Sequence, residues 1–301
     1  MKQQTISDKI SFTGVGLHTG ADVEMTLCPA SEGYGIRFQR TDIPGQPIVE
    51  AVSDHIVNTD RSTVLQQDGV RISTTEHLLA AFFGMGIDNV LVKLEGPEVP
   101  ILDGSALPFT LAIREIGTLE QDALREYFNL KEPVRFFDPV TGTDIEAIPA
   151  DTFTARVIID FNSQVIGRQE FTYSREVDFL EDISGSRTFV FLHEILFLFK
   201  NGLIKGGNLN NALVIAEKDI DREDMDLLRH IFNKPDVKLK KGYLGDSGPR
   251  FPNECARHKT IDLLGDLMLV GKRFNASITA YKPGHTANTA IARMIRNQLK
   301  K

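Results

Sequence analysis

An imidazole and a carboxylate stand one helical turn apart in residues 251–271, FPNECARHKTIDLLGDLMLVG. His258 and Asp262 are four residues apart, so on a helix both side chains project from one face. Such a pair can hold one divalent metal ion. The same spacing also suits an ordinary ion pair on a solvated face. A third ligand is needed to favour a metal site over such an ion pair. Asp266 follows one further turn along.

His77 is the candidate third ligand, because it stands at a predicted helix start in the sequence STTEH. The positive end of a helix dipole favours the neutral, ligating form of an imidazole. Three protein ligands leave a fourth tetrahedral position for water, as in catalytic zinc sites. Zinc lowers the pKa of that water, and the adjacent Glu76 could take its proton. Alternatively, Ser73 and Glu76 form a capping box, and His77 is a core residue.

Amide hydrolysis also needs a group that protonates the leaving amine. His285 is the candidate, in the sequence YKPGHTAN, where a Pro-Gly turn precedes a predicted helix. A neighbouring carboxylate raises the pKa of an imidazole and fixes its tautomer, and Asp266 could be that carboxylate. Alternatively, His285 lies on the surface or caps the helix.

The glycine cluster Gly14–Gly20 (GVGLHTG) invites a nucleotide-binding interpretation but has neither the Rossmann spacing nor a P-loop lysine. It predicts a tight turn between strands, where glycine supplies positive φ. From such a turn His18 could face a site.

These residues need a framework of strands followed by helices in each half of the chain. Alternating apolar residues predict strands, and 3.6-residue periodicity with capping signals predicts helices. This order favours α+β architecture, with two domains divided near residue 125 into 1–125 and 126–301. The predicted strands include Ala21–Leu27, Gly35–Gln39, Asp88–Leu94 and Asp151–Phe161, and the predicted helices are Ser73–Phe83, Ser105–Ile116, Arg187–Asn201, Glu223–Phe232, Pro252–Val270 and Thr286–Leu299.

Composition excludes several classes of protein. The 301 residues include 34 Lys and Arg against 41 Asp and Glu, a net charge of −7 that argues against nucleic-acid binding by bulk positive charge. Cys28 and Cys255 are far apart, which excludes a disulfide scaffold and a cysteine-rich zinc ribbon. The N-terminus lacks the apolar core of a signal peptide, and the apolar run Phe189–Phe199 is too short to span a bilayer. We therefore expect a soluble, cytoplasmic protein without stable membrane insertion.

Seven segments, in order along the chain, resemble the zinc-dependent UDP-3-O-acyl-N-acetylglucosamine deacetylases of lipid A biosynthesis. The resemblance implies two similar α/β sandwich domains packed face to face, with the active site and its Zn²⁺ between them. The matching segments are Gly14–Gly20, Thr75–Asn89, Glu98–Ser105, Ser186–Phe189, Gly206–Val214, Phe251–Asp266 and Pro283–Asn288.

The resemblance also implies which residues act. His77, His258 and Asp262 match the zinc ligands. Glu76 matches the general base that activates the zinc-bound water, and His285 matches the general acid. The implied reaction removes the N-acetyl group of an acylated UDP-N-acetylglucosamine and releases acetate.

Further roles follow from the same resemblance. Asp266 matches the residue that orients the general acid, and Thr188 matches a hydroxyl that stabilises the oxyanion. Lys259 matches a cation that contacts substrate, and Phe161 matches an aromatic side chain that lies against the uracil.

Residues of about 188–214 match an insert that forms the passage for the acyl chain. Its apolar residues exceed what one core-facing helical stripe needs, although a fully buried helix would also explain them. Val190 replaces a glycine common in the family, His193-Glu194 replaces a basic–acidic pair, and Cys255 replaces a larger apolar residue. The predicted passage residues are Phe189, Phe191, Leu192, Ile195, Leu196, Leu198 and Phe199.

The sequence thus predicts a cytoplasmic zinc amidohydrolase of lipid A biosynthesis. One rival is a non-catalytic protein that binds a sugar nucleotide or an acyl chain on the same scaffold, which intact Glu76 and His285 disfavour. Another is a zinc peptidase or a different amidase, which the absence of HExxH disfavours. Because some members of the family continue into a fused acyl-dehydratase domain, we expect that such a domain could follow residue 301.

Overall fold

The computed structural model describes residues 1–195, 205–245 and 248–301. The first half of the chain begins with strands. One helix precedes and one follows the central strand of its main sheet. A short 3₁₀ turn occupies Ser53–His55. The elements are β1 (Lys2–Ile6), β2 (Ile10–Val15), β3 (Asp22–Pro29), β4 (Ile36–Arg40), β5 (Ile48–Glu50), β6 (Ile56–Asn58), β7 (Val64–Gln67), β8 (Val70–Ile72), α1 (Glu76–Gly84), β9 (Val90–Glu95), α2 (Leu107–Ile116) and β10 (Thr118–Leu124).

The second half repeats this plan and adds a larger insert. A π-helical stretch, Phe179–Ser184, leads into the insert. The elements are β11 (Tyr127–Asn129), β12 (Val134–Asp138), β13 (Thr143–Ile148), β14 (Thr154–Asp160), β15 (Arg168–Tyr173), β16 (Phe189–Phe191), β17 (Leu213–Ile215), α3 (Arg222–Ile231), β18 (Leu239–Lys240), β19 (Tyr243–Leu244), α4 (Glu254–Met268), β20 (Arg273–Asn275), β21 (Ser277–Tyr281) and α5 (His285–Leu299).

The main sheets of the two halves have the same topology. The first has the order β2-β3-β9-β4-β5 and the second the order β12-β13-β21-β14-β15. In each, one parallel pair (β4 with β9, β14 with β21) lies among antiparallel neighbours. In each, one helix precedes the central strand and one follows it, so α1 corresponds to α4 and α2 to α5. The predicted α+β fold with two similar domains is confirmed, although no repeat is visible in the sequence.

Helices α1 and α4 bring the halves together. Helix α4 packs on β14 and β15 of its own sheet and on α1 of the other half. Gly265 permits this approach, because a Cβ atom there would lie 2.0 Å from the carbonyl oxygen of Glu76. One continuous apolar core runs through both halves, with Phe82, Leu264 and Ile291 among its fully buried residues. The division near residue 125 itself stays a prediction.

Each half carries a small sheet between the edge strand of its main sheet (β5 or β15) and the helix that follows it toward the site (α1 or α4). In the first half this insert is β6-β7-β8, and in the second it is the sheet β16-β17-β19-β18 with α3. The second insert therefore continues to Leu244, beyond residue 214. We call these two units the first and second insert.

The predicted helix Arg187–Asn201 is wrong at its beginning. Phe189–Phe191 is a strand that pairs in parallel with Leu213–Ile215, and residues 192–195 are helical. Aromatic and β-branched residues in a short apolar run suit a strand as well as a buried helix, and pairing with β17 decides here. The predicted positions Leu196, Leu198 and Phe199 lie outside the described residues.

Helix α1 begins three residues later than predicted. Thr74 has a φ of 58°, a left-handed conformation that a helix cannot include, and the helix therefore begins at Glu76. The other predicted helices occur within a few residues of their expected bounds. Within residues 1–195, 205–245 and 248–301, no helix combines the length and apolar character needed to cross a membrane.

Candidate active site

Three predicted ligands converge where the start of α1 meets the middle of α4. His77 is the second residue of α1, and His258 and Asp262 lie one turn apart on α4. All three are buried. Oδ1 of Asp262 lies 3.3 Å from Nε2 of His258 and 3.7 Å from Nε2 of His77. We call these three residues the metal group.

A backbone carbonyl sets the tautomer of His258. Its Nδ1 lies 3.0 Å from the carbonyl oxygen of Ser186, which can only accept a hydrogen bond. Nδ1 therefore carries the proton, and Nε2 presents its lone pair to the metal group. Burial, against the opposing charge of Asp262, lowers the pKa of His258 to about 3. His258 is thus neutral, as a metal ligand must be.

The carboxylate of Asp262 has one paired and one open oxygen. Oδ2 accepts a hydrogen bond from Nζ of Lys259 at 2.8 Å. Oδ1 is buried and has no hydrogen-bond partner within the described part of the chain. Burial disfavours the ionised form, but the ammonium of Lys259 holds the pKa of Asp262 well below its ordinary value. Oδ1 is therefore an ionised acceptor whose partner has to come from outside these side chains.

These residues fit a divalent metal ion. One donor atom from each lies within 4.8 Å of the others. Two nitrogen or oxygen donors at about 2.0–2.1 Å from a tetrahedral ion lie roughly 3.4 Å from each other, close to the distances found here. Two imidazoles and one unpaired carboxylate oxygen are a donor set that zinc and similar ions prefer.

Glu76 lies beside the metal group and does not cap its helix. The backbone N–H and the hydroxyl of Ser73 both donate to the carbonyl oxygen of Pro97, and the helix begins at Glu76, so the capping-box alternative is wrong. Oε2 of Glu76 accepts a hydrogen bond from the backbone N–H of Thr63 at 3.2 Å. Oε1 lies 3.7 Å from Nε2 of His285. Burial raises the pKa of Glu76, against the opposing effect of His285, so this carboxylate is a stronger base than an exposed one.

His285 is the first residue of α5 and is oriented by Asp266. Its Nδ1 lies 3.0 Å from Oδ2 of Asp266, which also accepts from the side-chain amide of Asn288 at 2.9 Å. Burial alone would lower the pKa of His285, but the carboxylates of Asp266 and Glu76 raise it to about 9. His285 therefore holds a proton at neutral pH. We call Glu76, Asp266 and His285 the acid–base group.

A cavity of about 790 Å³ gives access to both groups. Lys259, Arg61 and Lys205 contribute positive charge to its lining, although Arg61 also pairs with Glu194 at 3.6 Å. The lining also includes the carboxylates of Asp60 and Glu194, so it carries charges of both signs.

Only some of the residues predicted to contact substrate line this cavity. Thr188 and Phe189 line it, and the ring of Phe189 lies under Nζ of Lys259, 5.7 Å from it. Phe161 is 41% exposed and packs edge-on against Phe189 and Phe191, with ring centroids 5.6 and 5.7 Å apart. Phe161 and Phe191 do not line the cavity.

The second insert contributes an apolar wall, to which the predicted residues Phe189 and Ile195 belong and the predicted residues Phe191 and Leu192 do not. Leu192 lies in the insert's own small core, whereas Val190 and Ile195 line the cavity. Val214 and Phe232 add to the same wall.

The glycine cluster forms the predicted turn, and a buried carboxylate holds it. Glu98 is fully buried and accepts hydrogen bonds from the backbone N–H groups of His18 and Thr19. Gly16 has no room for a Cβ atom beside this carboxylate. His18 lines the cavity as a result. Sequence reasoning noted the turn but missed Glu98, although Glu98 opens one of the seven matching segments.

Three further supporting residues, Arg187, Glu254 and Thr63, were not singled out from the sequence. Arg187 pairs with Glu254 at 2.9 Å, and both side chains are almost completely buried. This pair fixes the loop that supplies the Ser186 carbonyl and Thr188. Thr63 contacts both Glu76 and Asp266 from the first insert.

Known proteins match this chain over nearly its whole length. The family UDP-3-O-acyl N-acetylglycosamine deacetylase (LpxC) matches residues 3–230 and 236–297. A protein of Myxococcus xanthus named UDP-3-O-acyl-N-acetylglucosamine deacetylase is 40% identical over 294 residues, covering 97% of this chain and 86% of its own length. The protein of that name from Neisseria meningitidis serogroup C is 36% identical over 301 residues, covering 98% and 90%.

A longer relative is similar as well. A protein of Bacteroides thetaiotaomicron named bifunctional enzyme LpxC/FabZ is 42% identical over 301 residues, covering all of this chain. The present chain spans 65% of that relative's length. Sequence, fold and site geometry agree, and the chain belongs to the UDP-3-O-acyl N-acetylglycosamine deacetylase (LpxC) family.

Proposed function

We propose that this chain hydrolyses the N-acetyl group of UDP-3-O-acyl-N-acetylglucosamine to a free amine and acetate, as a step of lipid A biosynthesis in the cytoplasm. One observation carries the proposal: a single cavity joins a metal group, a base and a protonated imidazole. Membership of the deacetylase family supports the choice of substrate.

The metal group would hold Zn²⁺ through His77, His258 and Asp262. A bound zinc ion would supply a Lewis acid for the amide carbonyl and make water at the site more acidic. The lone pair at Nε2 of His258 and the unpaired Oδ1 of Asp262 support this assignment. Zinc rather than another divalent ion is part of the proposal.

The acid–base group divides the proton transfers. Glu76 takes a proton from the attacking water at Oε1, which its raised pKa favours. His285 delivers the proton on Nε2 to the nitrogen of the leaving amine, while Asp266 holds Nδ1. The hydroxyl of Thr188 donates a hydrogen bond to the oxyanion.

The remaining contacts follow the charge and polarity of the cavity. Lys259, with Arg61 and Lys205 near it, binds the diphosphate of the substrate. Phe161 lies against the uracil. The acyl chain follows the wall of the second insert, to which Phe189, Val190 and Ile195 contribute.

Two rival functions predict different behaviour. A non-catalytic protein that binds a sugar nucleotide or an acyl chain has no use for a base of raised pKa beside a protonated imidazole. A peptidase or another amidase has no use for these cations and an apolar wall in one cavity. The LpxC/FabZ names of longer relatives support a separate proposal, an acyl-dehydratase domain fused to or associated with this chain.

Acetate release from UDP-3-O-acyl-N-acetylglucosamine tests the proposal. We expect release with the purified protein, loss after treatment with a chelator, and recovery when Zn²⁺ is added back. UDP-N-acetylglucosamine without the acyl chain is the matched substrate and should be hydrolysed far more slowly. Release that a chelator leaves unchanged would reject the metal mechanism, and binding without release would favour the non-catalytic rival.

A further inference from the structure

Thr63 touches both ends of the acid–base group. It lies in the first insert, directly before β7, and is fully buried. Its backbone N–H donates to Oε2 of Glu76 at 3.2 Å. Its hydroxyl donates to Oδ1 of Asp266 at 2.5 Å and lies 3.4 Å from Nδ1 of His285. No other residue described above contacts all three members of that group.

Thr63 and His285 bind different oxygens of the Asp266 carboxylate. Oδ1 accepts from Thr63, whereas Oδ2 accepts from Nδ1 of His285 and from Asn288. A hydroxyl has one proton to donate, and a carboxylate can only accept it. The Thr63 hydroxyl therefore gives its proton to Asp266. Toward His285 its oxygen is a second, more distant acceptor for the Nδ1 proton, which Oδ2 of Asp266 accepts at 3.0 Å.

The contact also joins the two halves of the molecule. Thr63 and Glu76 belong to the first half, and Asp266 and His285 belong to the second. The proton acceptor and the proton donor thus sit on different domains, and their separation depends on how the halves are held. Errors of about 1 Å in such a separation can cost about a hundredfold in rate.

We propose that Thr63 is a positioning residue, which holds the base Glu76 and the His285–Asp266 pair in one fixed arrangement across the domain interface. Its amide places the base, and its hydroxyl fixes the carboxylate that orients the acid. The proposal rests on the proposed deacetylase function. It assigns Thr63 no contact with substrate.

Thr63→Val tests the hydroxyl alone, because valine has nearly the same shape and keeps the backbone N–H that binds Glu76. Thr63→Ser is the conservative variant that keeps the hydroxyl. Thr110→Val is the matched control, since Thr110 is equally buried and its hydroxyl donates to the carbonyl oxygen of Ala106, the N-cap residue of α2. Zinc content and thermal unfolding of each variant report on the metal site and the fold.

In Thr63→Val we expect kcat to fall about 10- to 100-fold, with KM and zinc content close to wild type. Without the Thr63 hydroxyl, the charge of Asp266 acts more strongly on His285, so the alkaline limb of the pH–rate profile moves to higher pH. Thr63→Ser should restore most of kcat and the wild-type limb. Thr110→Val should change neither quantity.

Two results would overturn the inference. One is a Thr63→Val enzyme with the kcat of wild type. The other is a fall in kcat with an alkaline limb that stays in place, because general damage to the fold would have that effect. Wild-type protein that releases no acetate would instead overturn the proposed function. In that case the ring resonances of His285, followed by NMR against pH in wild type and Thr63→Val, still decide whether the hydroxyl acts on the His285–Asp266 pair.

Discussion

Two buried histidines in one cavity are held in opposite protonation states. His258, in the metal group, has its pKa lowered to about 3, whereas His285, in the acid–base group, has its pKa raised to about 9. Both rings lie near a carboxylate on α4. Burial acts in the same direction on both, toward the neutral form, and therefore cannot explain the difference.

The partners of each ring explain it. Nδ1 of His258 donates to a neutral carbonyl, and the nearby charge of Asp262 is already shared with Lys259. Nδ1 of His285 faces Asp266, and its Nε2 faces a second carboxylate, Glu76. One ring is thus prepared to give a lone pair to a metal ion, and the other to give away a proton. The number of unshared carboxylates around a buried imidazole decides its protonation state.

His258→Ala removes a member of the metal group and should have the largest effect on acetate release. The variant loses a ligand but keeps the acid–base group. We expect zinc content to fall to background after dialysis. Acetate release should fall by more than about a hundredfold, because losing a ligand costs more than losing a residue that only hydrogen-bonds to a ligand. His230→Ala, on the exposed side of α3, is the control. A fully zinc-loaded His258→Ala enzyme would show that the ligand set is wrong.

Glu76→Gln separates the two groups, because it removes the base without touching a ligand. Zinc content should match wild type, while kcat falls about 10²- to 10⁴-fold, the usual contribution of a general base. Measurement of metal content and acetate release on one preparation checks both expectations. Glu115→Gln, on the exposed face of α2, should behave as wild type. Turnover that survives in Glu76→Gln would remove Glu76 from the mechanism.

Asp266→Asn tests the cause of the raised His285 pKa. The folded-state pKa of His285 lies above its unfolded value, so its charged form persists at neutral pH and is lost as pH rises through about 9. The alkaline limb of kcat should fall there in wild type and move to lower pH in Asp266→Asn, with kcat reduced about tenfold or more. Asp151→Asn serves as an exposed control. A limb that does not move would assign the raised pKa to another neighbour.

Gly265→Ala should have the smallest effect. It tests the close approach of α4 to α1, which brings the two groups into one cavity. A Cβ atom at Gly265 would meet the Glu76 carbonyl, so α4 has to shift away from α1. Overpacking of this kind costs about 1–3 kcal/mol in the free energy of unfolding, and we expect a modest loss of kcat with it. Denaturant unfolding measures the cost. Gly248→Ala, where a Cβ meets open space, should cost nothing, and equal stability of the two variants would contradict the close packing.

The elements that carry the chemistry were largely predictable from the sequence. Helix α4 has its capping signals and periodicity, and the spacing of His258 and Asp262 follows from them. The pairing of Asp266 with His285 was also expected. By contrast, Phe189–Phe191 forms a strand through a partner more than twenty residues away, which a local pattern does not report.

Long-range support for the site was not predictable either. Thr63 and Glu98 act through hydrogen bonds to residues far along the chain, and no local pattern indicates those partners. The shared strand order of the two main sheets was not predictable, because different apolar residues can fill equivalent positions of the two sheets. The sequence therefore predicted which groups react more fully than what holds them in place.

Nitrogen NMR of the histidine rings at neutral pH tests the central claim most directly, since it reports the protonation of each ring. Assignment uses His258→Ala and His285→Gln. We predict that His285 is protonated on both nitrogens, and that His258 is neutral with its proton on Nδ1. A neutral His285, or a His258 protonated on both nitrogens, would contradict the division of one cavity into a metal group and an acid–base group.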